Sequence, residues 1–191
     1  MSKVVVSQFI TLDGVVEDPG GAEKSPYGGW AFQFDRGPEG DTFKFDELMA
    51  AGALLLGRRT YDGFAEAWPS RDGEFADKFN SMPKYVISST LENPAWNNTS
   101  VVGTEVAAAV ERIKGEVDDD ILVNGSVQLV HELINRGLVD EMRLMVFPIL
   151  TGGGVRLFPD GGGSRRLRMT ETRQAAETLI TIYEPVREKA H

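Results

Sequence analysis

The chain has 191 residues, of which 41% are hydrophobic and 26% are charged, and this composition suits one soluble globular domain with a substantial core. Its formal net charge is −9, and its acidic residues are spread along the sequence, so the surface repels phosphates and argues against nucleic-acid partners. It contains no cysteine and two histidines, which excludes thiolate chemistry and argues against a metal site.

The first predicted element is a strand over residues 4–10, which is rich in β-branched side chains. The N-terminal sequence lacks the features of a signal peptide, and no segment of the chain is long and apolar enough to span a membrane. We therefore expect a cytoplasmic protein without membrane partners. A long loop rich in Gly and Pro follows over residues 11–40, and loops of this length are usually functional or mobile. A helix is then predicted over 41–51, with Asp41 as a natural N-cap.

The most informative segment is an apolar run over 53–56 that stops at Gly57 and continues as Arg58, Arg59 and Thr60. An unbroken apolar run predicts a strand covered on both faces of a parallel sheet, and a helix is predicted over 59–66. The free N–H groups of that helix start, together with the two guanidinium groups, favour an anion such as a cofactor phosphate. The alternative is that both arginines are simply solvated.

Strands and helices alternate through the rest of the chain. Strands are predicted over 84–88, 101–102, 121–123 and 141–150, and helices within 69–82, from an N-cap at Thr104 to about 114, and over 126–135. A glycine turn at 152–154 leads into an antiparallel β ending. This pattern predicts an α/β fold with helices on both faces of the sheet, in a single domain over residues 1–191.

Two further strand ends carry polar residues. Ser88, Ser89 and Thr90 follow one predicted strand, and Gly125 and Ser126 join another strand to its helix. Open α/β sheets bind ligands at the carboxyl ends of their strands, so we expect these segments to meet the 57–60 segment in one crevice. Each could instead be ordinary turn chemistry.

The ordered set of these segments resembles the dihydrofolate-reductase-like family, and in particular its RibD C-terminal domain branch, the reductase domain of riboflavin biosynthesis. The matching segments cover nearly the whole chain and are Ser7, 11–14, 56–61, 83–89, 123–126, 137–141 and 148–154. The resemblance implies a three-layer αβα sandwich around a mostly parallel sheet with an antiparallel C-terminal ending. It also implies a reductase that uses NADPH.

The resemblance assigns roles to individual residues. The cofactor-binding residues it implies are Gly57, Arg58, Arg59, Thr60, Ser88, Ser89, Gly125, Ser126 and Val127. Arg58 would lie near the 2′-phosphate, and Arg59 and Thr60 near the pyrophosphate. Asp13 matches an aspartate that borders the nicotinamide and substrate, and Asp41 is the best match for the substrate carboxylate, so both are catalytic candidates. Asp13 could instead be a turn residue, and Asp41 a helix cap.

The leading functional prediction is an NADPH-dependent reductase that transfers hydride to a small pterin-like or pyrimidine-like heterocycle. The alternative is a non-catalytic flavin- or nucleotide-binding protein. A Rossmann dehydrogenase is disfavoured, because no G-x-G-x-x-G follows the first strand. We also expect a homodimer, because related domains pair through their C-terminal strands and the strands at 142–150 and 179–183 would otherwise leave unpaired edges.

Overall fold

A computed structural model describes residues 2–161 and 163–186. Its strands are β1 Val4–Thr11, β2 Ala51–Gly57, β3 Lys84–Ile87, β4 Thr99–Val101, β5 Asp120–Asn124, β6 Glu141–Phe147, β7 Leu167–Ala175 and β8 Thr178–Pro185. Its α-helices are α1 Gly37–Ala50, α2 Arg58–Ala67, α3 Glu74–Ser81, α4 Val106–Glu116 and α5 Val127–Asn135, and a 3-10 turn covers Ala31–Gln33.

The strands of the described chain form one eight-stranded sheet in the order β4-β3-β2-β5-β1-β6-β8-β7. The six strands from β4 to β6 are parallel, whereas β8 runs antiparallel to β6 and β7 antiparallel to β8. The predicted α/β fold with a mostly parallel sheet and an antiparallel ending is therefore confirmed. None of the helices within 2–161 and 163–186 has the length and apolar character needed to cross a membrane.

Alternation along β1 divides the core between the two faces of the sheet. Val4 and Val6 pack in one cluster with apolar residues of α4 and α5. Val5, between them, packs in a second cluster with residues of α1, α2 and α3. Because successive side chains of a strand point to opposite faces, the two clusters are the two layers between helices and sheet. The central strands are buried on both sides, which explains their unbroken apolar runs.

Three predicted boundaries are wrong. Helix α1 begins at Gly37 with Pro38 in its first turn, so Asp41 lies inside the helix and is not its N-cap. Helix α4 begins after Glu105, and Thr104 does not cap it. Strand β6 ends at Phe147, because Pro148 has no N–H with which to continue the ladder.

The argument that the C-terminal strands leave unpaired edges is also wrong for the two strands it named. Strand β6 pairs with β1 and β8, and β8 pairs with β6 and β7, so both are internal. The edges of the described sheet are β4 and β7. Little of the described chain packs on strand β7, since every residue from Arg168 to Gln174 is exposed. A homodimer stays a prediction, and of the C-terminal strands it is β7, not β6 or β8, whose edge is open to a second chain.

Lys84 is the most deeply buried charged residue among those described. It is fully buried at the start of β3, where its Nζ donates to the carbonyl oxygens of Asn80 at 2.8 Å, Met82 at 2.8 Å and Asn97 at 2.9 Å. The ammonium also lies 4.5 Å from the centroid of the Trp96 ring. Burial lowers the pKa of Lys84 to about 8. This side chain therefore ties the end of α3 to the segment that precedes β4.

We expect Lys84→Met to destabilise the protein by about 3 kcal/mol, because it leaves three carbonyl oxygens without their donor. Urea denaturation of the two proteins measures the difference. The matched control is Lys78→Met on α3, a half-exposed lysine, for which a change within about 0.5 kcal/mol is expected. Equal effects of the two substitutions would show that the Lys84 hydrogen bonds contribute nothing specific.

Candidate functional site

The turns that follow β2 and β5 are joined by two hydrogen bonds through Ser126. The backbone N–H of Gly57 donates to Ser126 Oγ at 3.0 Å, and the backbone N–H of Ser126 donates to Thr60 Oγ1 at 2.8 Å. Because β2 and β5 are neighbours in the sheet, these bonds hold the first turns of α2 and α5 side by side. Gly57, Thr60 and Ser126 are thus brought together as predicted.

Gly125 fits this junction because it has no side chain. It has a φ of +54°, and a Cβ at this position would lie 2.9 Å from Thr60 Oγ1. Its carbonyl oxygen accepts a hydrogen bond of 2.7 Å from Gln8 Nε2, so β1 is tied to the same junction. The sequence analysis missed Gln8. The signal that the sequence offered was a polar pair, Ser7 and Gln8, in the middle of an otherwise apolar strand.

The first turns of α2 and α5 can receive an anion. Neither helix has a side-chain cap or an acidic residue in its first turn. Their unpaired N–H groups and the positive ends of their dipoles therefore point past the carboxyl ends of β2 and β5. Val127 is the first residue of α5 and packs against the core on the α4–α5 face.

Arg58 and Arg59 lie on the rim of this junction. Arg58 Nε donates to both carboxylate oxygens of Asp62, at 2.9 and 2.8 Å, and Arg59 pairs with Glu23 of the 11–40 loop. The two arginine side chains are 41% and 76% exposed. Ion pairs this exposed contribute about 0–1 kcal/mol, so a bound phosphate could replace either carboxylate.

The third strand end reaches the site through Thr90. Arg58 Nη1 approaches Thr90 Oγ1 at 3.4 Å. Ser88 Oγ accepts the backbone N–H groups of Thr90 and Leu91, so this buried hydroxyl shapes the turn, and Ser89 is exposed beside it. The carboxyl ends of β2, β3 and β5, which the sequence analysis singled out, therefore lie together at one edge of the sheet.

Asp13 lies apart from this junction. Its carboxylate accepts hydrogen bonds from Thr11 Oγ1 at 2.6 Å, from the N–H of Gly152 at 2.9 Å and from the N–H of Thr151 at 3.3 Å. The Thr11 hydroxyl, followed by these backbone donors, lowers the pKa of Asp13 to about 2. Asp13 thus clamps the turn after β6 to the end of β1, with both oxygens engaged.

Asp41, the second catalytic candidate, is exposed on α1 and pairs with Arg36 at 2.6 Å. The helix start that carries it lies against Ala176 in the β7–β8 turn, since a Cβ at Gly37 would be 3.1 Å from the Ala176 Cβ. That turn is on the opposite side of β1 from the β2–β5 junction. The structure does not bring Asp41 together with the phosphate-facing residues.

The predicted 11–40 loop, which in the structure covers residues 12–36 and includes the 3-10 turn, is packed against the segment that follows β6. Val15 and Arg156 form an antiparallel bridge, and Glu17 accepts hydrogen bonds from the Ser25 hydroxyl and the Val155 N–H. Trp30 is buried. Beside Asp13 the loop leaves Leu12 67% exposed, and the facing segment leaves Leu150 69% exposed. Both leucines are thus exposed just beyond the paired carboxyl ends of β1 and β6, where the Leu12 N–H donates to the Ile149 carbonyl oxygen at 3.0 Å.

The chain belongs to the RibD C-terminal domain family, which residues 2–181 match. It is 27% identical over 185 residues to the uncharacterized protein YyaP of Bacillus subtilis, covering 94% of this chain and 93% of YyaP. A Shewanella crystal structure, provisionally assigned to riboflavin biosynthesis, superposes with a TM-score of 0.76 at 21% identity, over 97% of this chain and 99% of that one.

A more distant fold relative is the dihydrofolate reductase of Enterococcus faecalis, solved in complex with NADP(H). It has a TM-score of 0.57 at 15% identity and covers 96% of each chain. At these identities the two solved structures establish the fold alone, which is the dihydrofolate-reductase-like sandwich implied by the sequence. The predicted family and fold are therefore confirmed, and family and fold together support a reductase.

The residues present fit the phosphates of a dinucleotide. The donors converging on the β2–β5 junction are backbone N–H groups at two helix starts, one hydroxyl and two guanidinium groups, which is the chemistry phosphate requires. Because Gly125 has no side chain, the turn after β5 can lie close to Thr60, and the backbone of Gly125 can line the site.

Among residues 2–161 and 163–186 there is no group of three or more acidic or histidine side chains arranged to hold a metal ion.

We expect the Asp13 carboxyl to titrate near pH 2, and Thr11→Val to move its pKa back toward 3.8, because Thr11 supplies the foremost hydrogen bond. Since the folded-state pKa is lowered, the clamp stabilises the fold fully above about pH 4, and this stabilisation is lost as the pH falls toward 2. Carboxyl-carbon NMR shifts against pH measure both values. A wild-type pKa near 4, or no change in Thr11→Val, would contradict the clamp.

Proposed function

We propose that this protein is an NADPH-dependent reductase that transfers hydride to a small pterin-like or pyrimidine-like heterocycle. The observation that carries the proposal is the joining of the α2 and α5 helix starts through Ser126, with Arg58 and Arg59 on the rim. Two helix starts held together offer paired donors for a pyrophosphate. Membership of the RibD C-terminal domain family favours a reductase as the use of that site.

Each part of the cofactor has a proposed partner. The first-turn N–H groups of α2 and α5, with the Thr60 hydroxyl, would hold the pyrophosphate. Arg58 would take the 2′-phosphate, next to Ser88 and Ser89 at the adenosine end. Gly125 and Val127 would border the nicotinamide half. Arg59 would leave Glu23 and bind a phosphate oxygen instead. The free energy lost with the Arg59–Glu23 ion pair is small, because both side chains are exposed.

The bound cofactor would supply the hydride, so the chain needs few acid–base groups of its own. Its residues orient the reactants and exclude water. Leu12 and Leu150 offer an apolar surface on which a flat heterocycle can lie. Asp13 acts as a positioning residue that fixes the turn bearing Leu150, because both its oxygens are already bonded. Asp41 contacts none of these groups, so we assign it no part in the reaction.

We propose that the protein works in the cytoplasm as a homodimer on a small-molecule substrate. The support for a dimer is strand β7, an edge strand whose residues from Arg168 to Gln174 are all exposed. Exposed edges of this length are commonly covered by a second chain or protected by charge. Glu171 and Arg173 form an ion pair with each other on this strand, and in an antiparallel pairing of two β7 strands each would be able to pair instead with the opposite charge of the second chain.

We expect the protein to bind NADPH about tenfold or more tightly than NADH, and Arg58→Ala to remove most of that preference. Tenfold corresponds to about 1.4 kcal/mol, a modest contribution for a guanidinium–phosphate contact at an exposed site. Fluorescence titration of both cofactors measures the affinities. The matched control is Arg136→Ala, another helix-surface arginine that pairs with a carboxylate one turn away.

An activity assay on the same proteins tests whether bound NADPH is used for reduction. With NADPH and a panel of oxidised pterins and pyrimidines, the reductase proposal predicts substrate-dependent loss of NADPH absorbance. Tight NADPH binding without turnover on any member of the panel would favour the non-catalytic nucleotide-binding alternative. Equal affinity for NADPH and NADH in the wild type would overturn the assignment of Arg58.

A further inference from the structure

A cavity of about 480 Å³ lies between α5 and the segment that follows β6. It borders the last turn of α5, at Ile134 and Asn135, whereas the candidate reductase site lies at the first turn of the same helix. Pockets of this volume are typical of sites for small molecules. None of the residues assigned to the cofactor or to the heterocycle lines it, so the cavity is available for a second ligand.

Two hydrogen bonds join the facing walls of this cavity. His131 Nε2, on α5, donates to the carbonyl oxygen of Arg156 at 3.0 Å. Arg165 Nη2 donates to the carbonyl oxygen of Asn135 at 3.3 Å. The segment over 156–165 is therefore tied to α5 at both of its ends, and the cavity is formed before a ligand enters.

The interior of the cavity is largely apolar. The apolar residues that line it are Ile134, Met142, Leu157, Phe158, Pro159 and Leu167. Met142 and Leu157 are buried, whereas Phe158 is 47% exposed. Transfer of an apolar ring or chain from water onto these side chains is favourable, and it would cover the exposed part of Phe158.

The arginines that have no carboxylate partner are concentrated beside this cavity. Within residues 2–161 and 163–186, eight of the twelve arginines form an ion pair with Asp or Glu. The four that do not are Arg71, Arg156, Arg165 and Arg166. Arg165 lines the cavity, and Arg156 and Arg166 are sequence neighbours of residues that line it. On a chain with net charge −9, these three arginines attract an anion to the cavity.

Arg165 is the charged group that can bind such an anion directly. One of its N–H groups is bonded to Asn135, and its other donors have no partner among the described residues. Asp160 is the one carboxylate among the described lining residues, and the three arginines outnumber it. A guanidinium group with free donors forms paired hydrogen bonds with a carboxylate. The cavity therefore favours a ligand that joins an apolar body to an anionic group.

We propose that this cavity binds a small amphipathic carboxylate, in which an aromatic or short aliphatic body carries one carboxylate group. The body packs against Met142, Leu157 and Phe158, and the carboxylate pairs with Arg165. The site does not depend on the proposed reductase function, because it uses none of the residues assigned to the cofactor. Failure of NADPH binding would therefore leave this proposal standing.

The test is a titration of the full chain with 2-naphthoate at constant ionic strength, followed by amide NMR shifts with and without NADPH. We expect saturable binding with a Kd of about 1 mM or below, and shifts centred on residues 131–135 and 157–167 in both conditions. 2-Naphthalenemethanol has the same ring system without the charge, so it should bind at least about fivefold more weakly. The 2-naphthylmethylammonium cation should bind more weakly still.

Two substitutions of exposed residues test the two ends of the site. Arg165→Gln should weaken 2-naphthoate binding at least about threefold and leave 2-naphthalenemethanol binding unchanged, because it removes charge and keeps the apolar interior. Phe158→Ala should weaken the binding of both compounds. The matched control is Arg71→Gln, which removes another arginine without a carboxylate partner. That side chain lies over the Trp68 ring and does not line the cavity, so 2-naphthoate binding should be unchanged.

The proposal is overturned if 2-naphthoate shows no saturable binding, if 2-naphthalenemethanol binds as tightly, or if Arg165→Gln and Arg71→Gln have equal effects. It is also overturned if the affinity for 2-naphthoate falls as the protein concentration rises, because that result would show that a second copy of the chain covers the cavity.

Discussion

The candidate site depends on the pair of hydrogen bonds that Ser126 makes to the turn after β2. Parallel strands deliver helix starts to the same edge of a sheet, but they do not by themselves fix the distance between neighbouring helix starts. Ser126 does so by accepting from Gly57 and donating to Thr60. Its own backbone is left-handed, with φ of 51°, and this conformation directs both polar atoms toward the β2 turn. Gly125 then admits the Thr60 side chain where a Cβ would collide with it.

Around this fixed junction the charged groups are exposed and exchangeable. Arg58 and Arg59 bring local positive charge to a chain with net charge −9, and each is held by an exposed carboxylate. Glu23, the partner of Arg59, belongs to the 11–40 loop. A phosphate that takes Arg59 from Glu23 therefore releases one attachment of that loop.

The sequence was sufficient to predict the elements with strong local patterns. The unbroken apolar run before Gly57, and the glycine and serine before α5, predict buried parallel strands followed by helix starts, and the structure has both. Because Arg58, Thr60 and Ser126 follow directly after these two strands, the sequence also predicts that they lie at the carboxyl edge of the sheet, where the structure has them. The start of α1 was missed because Gly37 and Pro38 are typical of loops as well as of first helical turns.

Contacts between residues distant in the chain could not be predicted in this way. Asp13 follows a strand and precedes a glycine, which indicates a turn, but its bonds to Thr151 and Gly152 join segments 138 and 139 residues away. Glu47 and Lys84 look like surface residues of a helix and a strand, yet both are buried. Strands β6 and β8 looked like edges because nothing local to them indicates that β7 continues the sheet.

The most direct test of this account is a crystal structure of the protein with NADPH bound. The account predicts that the pyrophosphate oxygens accept hydrogen bonds from the first-turn N–H groups of both α2 and α5, with the two Ser126 bonds intact and Arg58 on the 2′-phosphate. An ordered cofactor that lies elsewhere, or that binds only after the α2 and α5 turns have separated, would contradict it.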